Sequence, residues 1–254
     1  MMANEKFSLE GKNAVVTGAN TGLGQAMAIA LANAGSDVVL VGRSAPDETE
    51  ARIKALGRKT AVVMADLSDA SVASSVIADA EKELGPVNIL INNAGIIRRE
   101  DALEFSEEDW DDVLATNLKV PFFLAQAAAK SMVAGKREGK IINVASLLSL
   151  QGGIRVASYT ASKSGLAGLT RLLANEWAPK GINVNAIVPG YFATNNTQAL
   201  RDDEERNRQI LERVPAGRWG DPDDLGGAAV FLASQASDYV HGVLIPVDGG
   251  WLAR

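Results

Sequence analysis

The sequence predicts a single α/β domain spanning residues 1–254, a doubly wound parallel sheet with helices on both faces. Two observations carry this expectation. Short apolar runs alternate with helix-like stretches from one end of the chain to the other, and that alternation builds a parallel sheet covered on both sides. A glycine-rich turn also stands between the first apolar run and an Ala-rich helical stretch, the arrangement that opens many ligand-binding sheets of this kind. A length of 254 residues suits one domain, and 47% hydrophobic residues suffice for a core. No internal repeat, linker or low-complexity tract interrupts the pattern.

Taken in order, Asn13 to Thr17 (NAVVT) reads as a buried strand. The turn Gly18-Ala-Asn20-Thr21-Gly22-Leu23-Gly24 follows, then a helix closed by Gly35. Such a turn lets backbone N–H groups approach a diphosphate at the helix N-terminus, although glycines serve plain tight turns equally well. Asp37 to Val41 is the second strand and ends at Gly42-Arg43-Ser44. In dinucleotide sites an acid at this place takes the ribose 2′-hydroxyl, whereas an Arg accommodates a 2′-phosphate. Arg43 is therefore either a phosphate partner or a solvated loop cation. A helix is expected over Pro46–Leu56 and a third strand over Thr60–Ala65, followed by Asp66-Leu67. Asp66 either contacts an adenine amino group or caps the helix running from about Ala70 to Leu84.

Val87 to Ile91 is the fourth strand and leads into Asn92-Asn93-Ala94-Gly95. This is either an ordinary Asx turn or a cofactor floor, with Gly95 giving close backbone approach. A helix starts at Ser106 with acids in its first turn and continues past Leu118, where Pro121 is expected to kink it. Asn117 lies among apolar neighbours, so it must find partners: a structural bridge, or a water in a proton relay. Lys140 to Ala145 is the fifth strand and delivers Ser146 at its end. Gly181 to Val188 is the sixth and ends at Pro189-Gly190. Tyr191 to Arg213 is polar and helical, and reads as a flap over a site. A helix over Pro222–Ser234 and a strand over Val243–Val247 complete the series.

The candidate chemistry gathers between Ser146 and Lys163. Tyr159 and Lys163 are four apart on a helical stretch and share one face. An ammonium beside a phenol favours the phenolate, and lowering a tyrosine pKa of about 10 by two to three units takes roughly 3–4 kcal/mol. That would make Tyr159 a general base near neutral pH, with Ser146 nearby. The bland alternative is a surface Tyr and a solvated Lys.

Composition removes other classes. The net charge of −6, with no basic block, argues against a nucleic-acid partner. With no Cys, thiolate chemistry and disulfides are excluded, and with His241 alone a two-His metal site is excluded within one chain. No metal is expected. A serine hydrolase would need His241 as its base and lacks the G-x-S-x-G elbow around Ser146. No run reaches membrane-spanning length, and a cytoplasmic protein is expected.

TGANTGLG (17–24), NNAG (92–95), Asn117, Ser146, Tyr159-x-x-x-Lys163 and PGYFAT (189–194) together resemble the short-chain dehydrogenase/reductase family over nearly the whole chain. The resemblance implies a Rossmann-type fold and a nicotinamide-dependent oxidoreductase acting on a secondary alcohol or ketone. It gives Tyr159 the proton transfer, Ser146 the hydrogen bond to the same oxygen, Lys163 the nicotinamide ribose, and Asn117 a water linked to Lys163. The cofactor residues it implies are Gly18, Asn20, Thr21, Gly22, Leu23, Gly24, Arg43, Asp66, Leu67, Asn93, Ala94, Gly95, Tyr159, Lys163, Pro189, Gly190 and Thr194. Arg43 favours NADP(H), with NAD(H) possible. The family usually has an acid at Gly42 where it prefers the unphosphorylated cofactor, so this chain departs from that pattern. Likeness to sugar-acid dehydrogenases within the family lies in IIRREDALEFSEEDWDDV, SLQGGIRVASYTASKSG and YFATNNTQALR. It implies a carboxylate substrate held by Arg99, Arg155 or Arg218, with Gln151, Asn195 and Asn196 reading hydroxyls and Tyr191 on the flap. Those arginines could instead pair with Glu100, Asp101 or Glu104. A 3-oxoacyl carrier-protein reductase, another sugar-alcohol dehydrogenase, or a non-catalytic cofactor-binding protein are the alternatives. The family is usually tetrameric, and Ala/Gly-rich faces of 121–134 and 161–175 would allow a homotetramer.

Overall fold

The computed structural model describes residues 3–254. A short helix α1 (Ala3–Lys6) precedes a sheet of seven strands: β1 (Asn13–Thr17), β2 (Asp37–Gly42), β3 (Thr60–Met64), β4 (Ile89–Asn92), β5 (Gly139–Val144), β6 (Ile182–Pro189) and β7 (Leu244–Val247). They are ordered β3-β2-β1-β4-β5-β6-β7, every pairing parallel. Strand order reverses direction between β1 and β4. A crevice forms at such a switch point, outside the carboxyl ends of the strands.

The apolar runs form strands because both sheet faces are covered, so neither parity of residue has to be polar. Val15, Val39, Leu90 and Ile141 point to one face. There they meet α4 (Ala73–Leu84), α6 (Val120–Ala134) and α7 (Ala157–Trp177) through Val76, Leu124 and Leu173. Their neighbours Ala14, Val16, Leu40 and Ile91 point to the other face. That face packs on α2 (Gly22–Asn33), α3 (Asp47–Ala55) and α10 (Gly226–Ala233) through Met27, Ile53 and Leu232. Strand ends differ from the sequence expectation by up to two residues, as at β4, where Val87 and Asn88 precede the strand.

Two helical segments depart from expectation. The stretch after Ser106 keeps helical backbone to residue 134, as expected, but is not regular throughout. It consists of α5 (Glu107–Leu114), a π-turn over Ala115–Lys119, and α6, with Pro121 in the first turn of α6. Pro121 directly follows the π-turn, where Val120 N already donates to Ala115 O and the regular ladder is displaced. Within the π-turn, Asn117 bonds the chain after β4. The stretch 191–213, by contrast, is not continuous helix. Phe192 bridges to Gly220, a 3-10 turn covers Asn195–Thr197, and α8 (Gln198–Asp202) and α9 (Glu204–Arg213) are separated at Asp203. Asp203 accepts from Arg206 N and restarts the helix as its N-cap.

Candidate active site

A cleft of ≈ 390 Å³ opens at the carboxyl ends of β1, β4, β5 and β6. A second hollow of ≈ 380 Å³ at the ends of β2 and β3 shares Gly18, Asn20, Ala94, Gly95 and Ile96 with it, so the two form one elongated groove.

The turn after β1 forms one wall. Thr21 caps α2 without a side-chain bond, and the first turn of α2 carries no acid. The N–H groups of Gly22, Leu23 and Gly24 thus remain orphan donors at a positive helix end, which suits a diphosphate. Gly24 is obligatory for packing: a Cβ there would lie 2.2 Å from Gly18 O. Asn93 braces this turn from β4, giving its Nδ2 protons to Thr17 O (2.9 Å) and Gly18 O (3.1 Å). Thr17 Oγ1 in turn accepts from Asn93 N and Ala94 N, each at 3.0 Å. The NNAG segment is therefore a brace and a floor together.

The second hollow holds Arg43, Ser44, Asp66, Leu67 and Ser68. Asn20 Nδ2 donates to Ser44 Oγ at 2.9 Å. Asp66 does not cap the following helix. It accepts from Ser68 N at 3.0 Å, while Asp69 caps the 3-10 turn at Ala70–Val72. The Ser68 hydrogen bonds hold the Asp66 carboxyl below its ordinary range, with a smaller contribution from the Arg43 charge.

The catalytic candidates converge on the other end. Ser146 follows β5 as the cap of a short 3-10 turn, its Oγ accepting from Leu148 N at 3.2 Å. Ser149 Oγ donates to Lys163 O at 2.7 Å, which ties that turn to α7. Tyr159 keeps partial exposure and lines the same cleft as Ser146. Burial pushes its pKa above the ordinary value, against the opposing pull of the Ser146 hydrogen bond and the Arg99 charge. The sequence reading, in which Lys163 lowers this pKa, needs amending for the protein alone. Lys163 Nζ donates to Val144 O at 2.7 Å and stands 5.7 Å from the Tyr159 ring centre. Lys163 is only 4% exposed, and burial lowers its pKa to about 8.

Asn117, fully buried in the π-turn, exchanges two bonds with Ile96: Oδ1 accepts from Ile96 N and Nδ2 donates to Ile96 O, both at 2.8 Å. Its Nδ2 also reaches Ser162 Oγ at 3.3 Å. Both ends of the amide are thus committed to the chain after β4 and to α7.

The remaining expected residues divide. Pro189, Gly190, Thr194, Asn195, Asn196 and Arg99 line the cleft. Arg155 does not; its side chain is 62% exposed, 3.8 Å from Glu100, on left-handed backbone (φ 61°). Arg218 pairs with Asp224 at 2.6 Å. Gln151 accepts from Arg213 and Trp251, and Tyr191 packs on Trp219 and Trp251. Beside the flap's Phe192, the apolar wall contains Ile96, Ile97 and Val144, which were not anticipated. Position was their one signal, since they lie within two residues of the NNAG and Ser146 motifs. Among the described residues, no cluster of three or more metal-ligating side chains occurs.

The family model described as enoyl-(acyl carrier protein) reductase matches residues 18–252. The chain is 62% identical to a 2-dehydro-3-deoxy-D-gluconate 5-dehydrogenase of Escherichia coli (strain K12), over 98% of each chain. Among solved structures, a candidate 2-deoxy-D-gluconate 3-dehydrogenase of Agrobacterium tumefaciens with bound NADP is 61% identical with a TM-score of 0.94. That match covers 98% of this chain and 99% of the other. A gluconate 5-dehydrogenase of Burkholderia cenocepacia J2315, in complex with NADP and tartrate, is 37% identical with a TM-score of 0.94, and both chains are covered in full (100%).

The buried Lys163 gives a pH-dependent stability. Its pKa is about 8 when folded against 10.5 when unfolded, so above pH 8 the unfolded chain holds more protons and stability rises with pH. Urea unfolding at pH 8 and pH 10 should show wild type gaining about 2 kcal/mol relative to Lys163→Met. An unchanged difference would mean that Lys163 is not desolvated.

Proposed function

The chain belongs to the short-chain dehydrogenase/reductase family, and from that premise we propose that it moves a hydride between a nicotinamide cofactor and the secondary alcohol or ketone of a sugar acid, of 2-deoxy-D-gluconate or 2-dehydro-3-deoxy-D-gluconate type. The observation that carries this reading is one cleft holding an uncapped helix end, the Ser146–Tyr159–Lys163 patch and the Arg99 cation. When bound, the cofactor supplies the hydride acceptor or donor. The protein does the rest. Tyr159 takes the alcohol proton as the C–H electron pair leaves, or returns it to the carbonyl oxygen in reduction. Ser146 donates to that oxygen as charge develops on it. Lys163 fixes the cofactor ribose, and Arg99 holds the substrate carboxylate through its planar fork. Tartrate in the Burkholderia neighbour is itself a dicarboxylate, and two relatives at 60% identity or more carry the name of a sugar-acid dehydrogenase.

NADP(H) is the preferred cofactor in this reading, with NAD(H) accepted. Arg43, Ser44 and Ser68 offer donors where a 2′-phosphate would lie, and Gly42 brings no acid. A homotetramer and a cytoplasmic location belong to the same proposal. An open apolar hollow lined by Leu114, Leu118, Phe122, Phe123 and Leu169 supports subunit packing through α5–α7. The wall of Ile96, Ile97 and Phe192 supports a second reading, reduction of an acyl carrier substrate. Arg99 separates the two, because an acyl thioester has no carboxylate to meet it.

In NADP(H) and NAD(H) titrations, Arg43→Ala should weaken NADP(H) by about tenfold and leave NAD(H) within about twofold, given the worth of a charge-assisted bond. Equal affinities before and after would make Arg43 a loop cation. For Arg99→Ala, kcat/KM toward a 2-deoxy-hexonate should fall by roughly 1.5–3 kcal/mol while that toward the matching neutral alcohol holds. A wild type with no preference for the acid would put the acyl reading in its place.

A further inference from the structure

The 248–254 segment and the flap meet in a joint that the reaction chemistry leaves unused. Trp251 is buried beneath Arg213, the last residue of α9, whose guanidinium carbon lies 4.0 Å from the indole centre. Gln151, in the loop after Ser146, accepts through Oε1 from Arg213 Nη2 (3.2 Å) and from Trp251 Nε1 (3.1 Å). Arg254 donates to the final carbonyls of α9, from Nε to Arg213 O at 3.2 Å and from Nη2 to Glu212 O. These are the groups that a helix end leaves unpaired. The segment runs close against the chain after α9: Ala216 N donates to Gly249 O at 2.9 Å, and a Cβ at Gly249 would lie 2.8 Å from Val214 Cγ1. Behind the joint, Trp251, Ile210 and Val214 share one apolar cluster with Ala145 and Leu147, the residues on either side of Ser146.

The other half of the flap is held differently. The 195–197 turn and α8 are tied to their own loop, by Thr197 Oγ1 to Phe192 O at 2.6 Å and Arg201 Nη2 to Thr194 O at 3.1 Å. Asp203 ends α8 and caps α9, and the two helices pack together across it, so this half is carried on α9. One half of the flap is therefore seated on the catalytic loop, and the other carries Asn195 and Asn196 over the cleft.

We infer that Gln151, Arg213 and Trp251 are positioning residues that seat α9 on the Ser146 loop and so set where the flap's asparagines meet the substrate. This rests on the sugar-acid reading. Gln151 acts here by its acceptor oxygen, without touching substrate, which replaces its expected role as a reader of sugar hydroxyls. A loosened joint must be ordered anew when substrate binds, so its loss raises KM for the substrate. The glycine turn that receives the cofactor lies on other elements and is left unaffected.

The Gln151 pair of variants tests this. Gln151→Glu keeps an acceptor for both Arg213 and Trp251, whereas Gln151→Leu removes it. Gln151→Leu and Trp251→Ala should each raise KM for a 2-deoxy-hexonate by about tenfold, with kcat and the NADP(H) Kd within about twofold, and Gln151→Glu should stay near wild type. Hydrogen exchange over residues 204–213, without substrate, should quicken in the Leu and Ala variants and not in Gln151→Glu. Should Trp251→Ala not fold, the Gln151 pair alone carries the comparison. A raised KM in Gln151→Glu with unchanged exchange would overturn the inference, because Gln151 would then face the substrate carboxylate. Unchanged exchange in Gln151→Leu would also overturn it. If wild type oxidises no sugar acid, the sugar-acid reading fails, and the exchange measurement still decides the joint.

Discussion

One buried bond carries most of this structure's chemistry, the donation from Lys163 Nζ to the carbonyl of Val144. An ammonium withdrawn from water is costly unless it is given partners. The end of β5 supplies the carbonyl, so the side chain from α7 is fixed to the strand that delivers Ser146 one residue after Ala145. Tyr159, one turn before Lys163 on the same helix, is thereby brought up to Ser146. A parallel sheet is what makes this possible. Its strands all end on one side, and their terminal carbonyls and the turns that follow them lie together at one rim.

Below that rim runs a buried polar frame that keeps neighbouring elements in register. Asn92 Nδ2 donates to Pro121 O (3.2 Å) and Asn143 Oδ1 (3.0 Å), and Asn143 Nδ2 donates to Thr170 Oγ1 (2.9 Å). These bonds join β4, β5, α6 and α7. Asn117 adds the link from the π-turn to Ile96 and Ser162. Such networks specify one arrangement where their members are satisfied; here Asn92 Oδ1 is an exception, buried without a hydrogen-bond partner. A π-turn placed at a site is one means by which a helix aims a side chain that a regular turn would not.

The strands were legible because residues of both parities are apolar in β1, β2 and β4, a pattern that only double-sided burial explains. The glycine turn and the Tyr159–Lys163 spacing were legible because they are local, with each partner within one turn of chain. What escaped the sequence was long-range. The π-turn carries Asn117 in a bond to residue 96, and nothing near Asn117 in the chain announces either. Gln151 and Arg155 lie in the loop before Tyr159 and read as substrate partners. Their actual neighbours are 62 or more residues away for Gln151, and Glu100 for Arg155. The rise in the Tyr159 pKa in the protein alone was not legible for the same reason. The burial that raises it is a property of the assembled cleft, and a Lys four residues on does not reveal that its ammonium turns toward β5.

As the proposed base, Tyr159 has to overcome the rise in pKa that burial alone imposes. The Ser146 hydrogen bond and the Arg99 charge oppose that shift without cancelling it in the protein alone, so the rest of the reversal belongs to the cofactor-bound complex, where an oxidised nicotinamide would add a positive charge beside the phenol. The direct test is the pH profile of kcat for alcohol oxidation at saturating cofactor and sugar acid, in wild type and in Tyr159→Phe. The expected result is a rising limb in wild type with an apparent pKa well below the tyrosine value of about 10, and a loss of about 10²–10⁴-fold in the variant across the range. Near-normal turnover by Tyr159→Phe, or a wild-type limb at or above the pKa of free tyrosine, would contradict it.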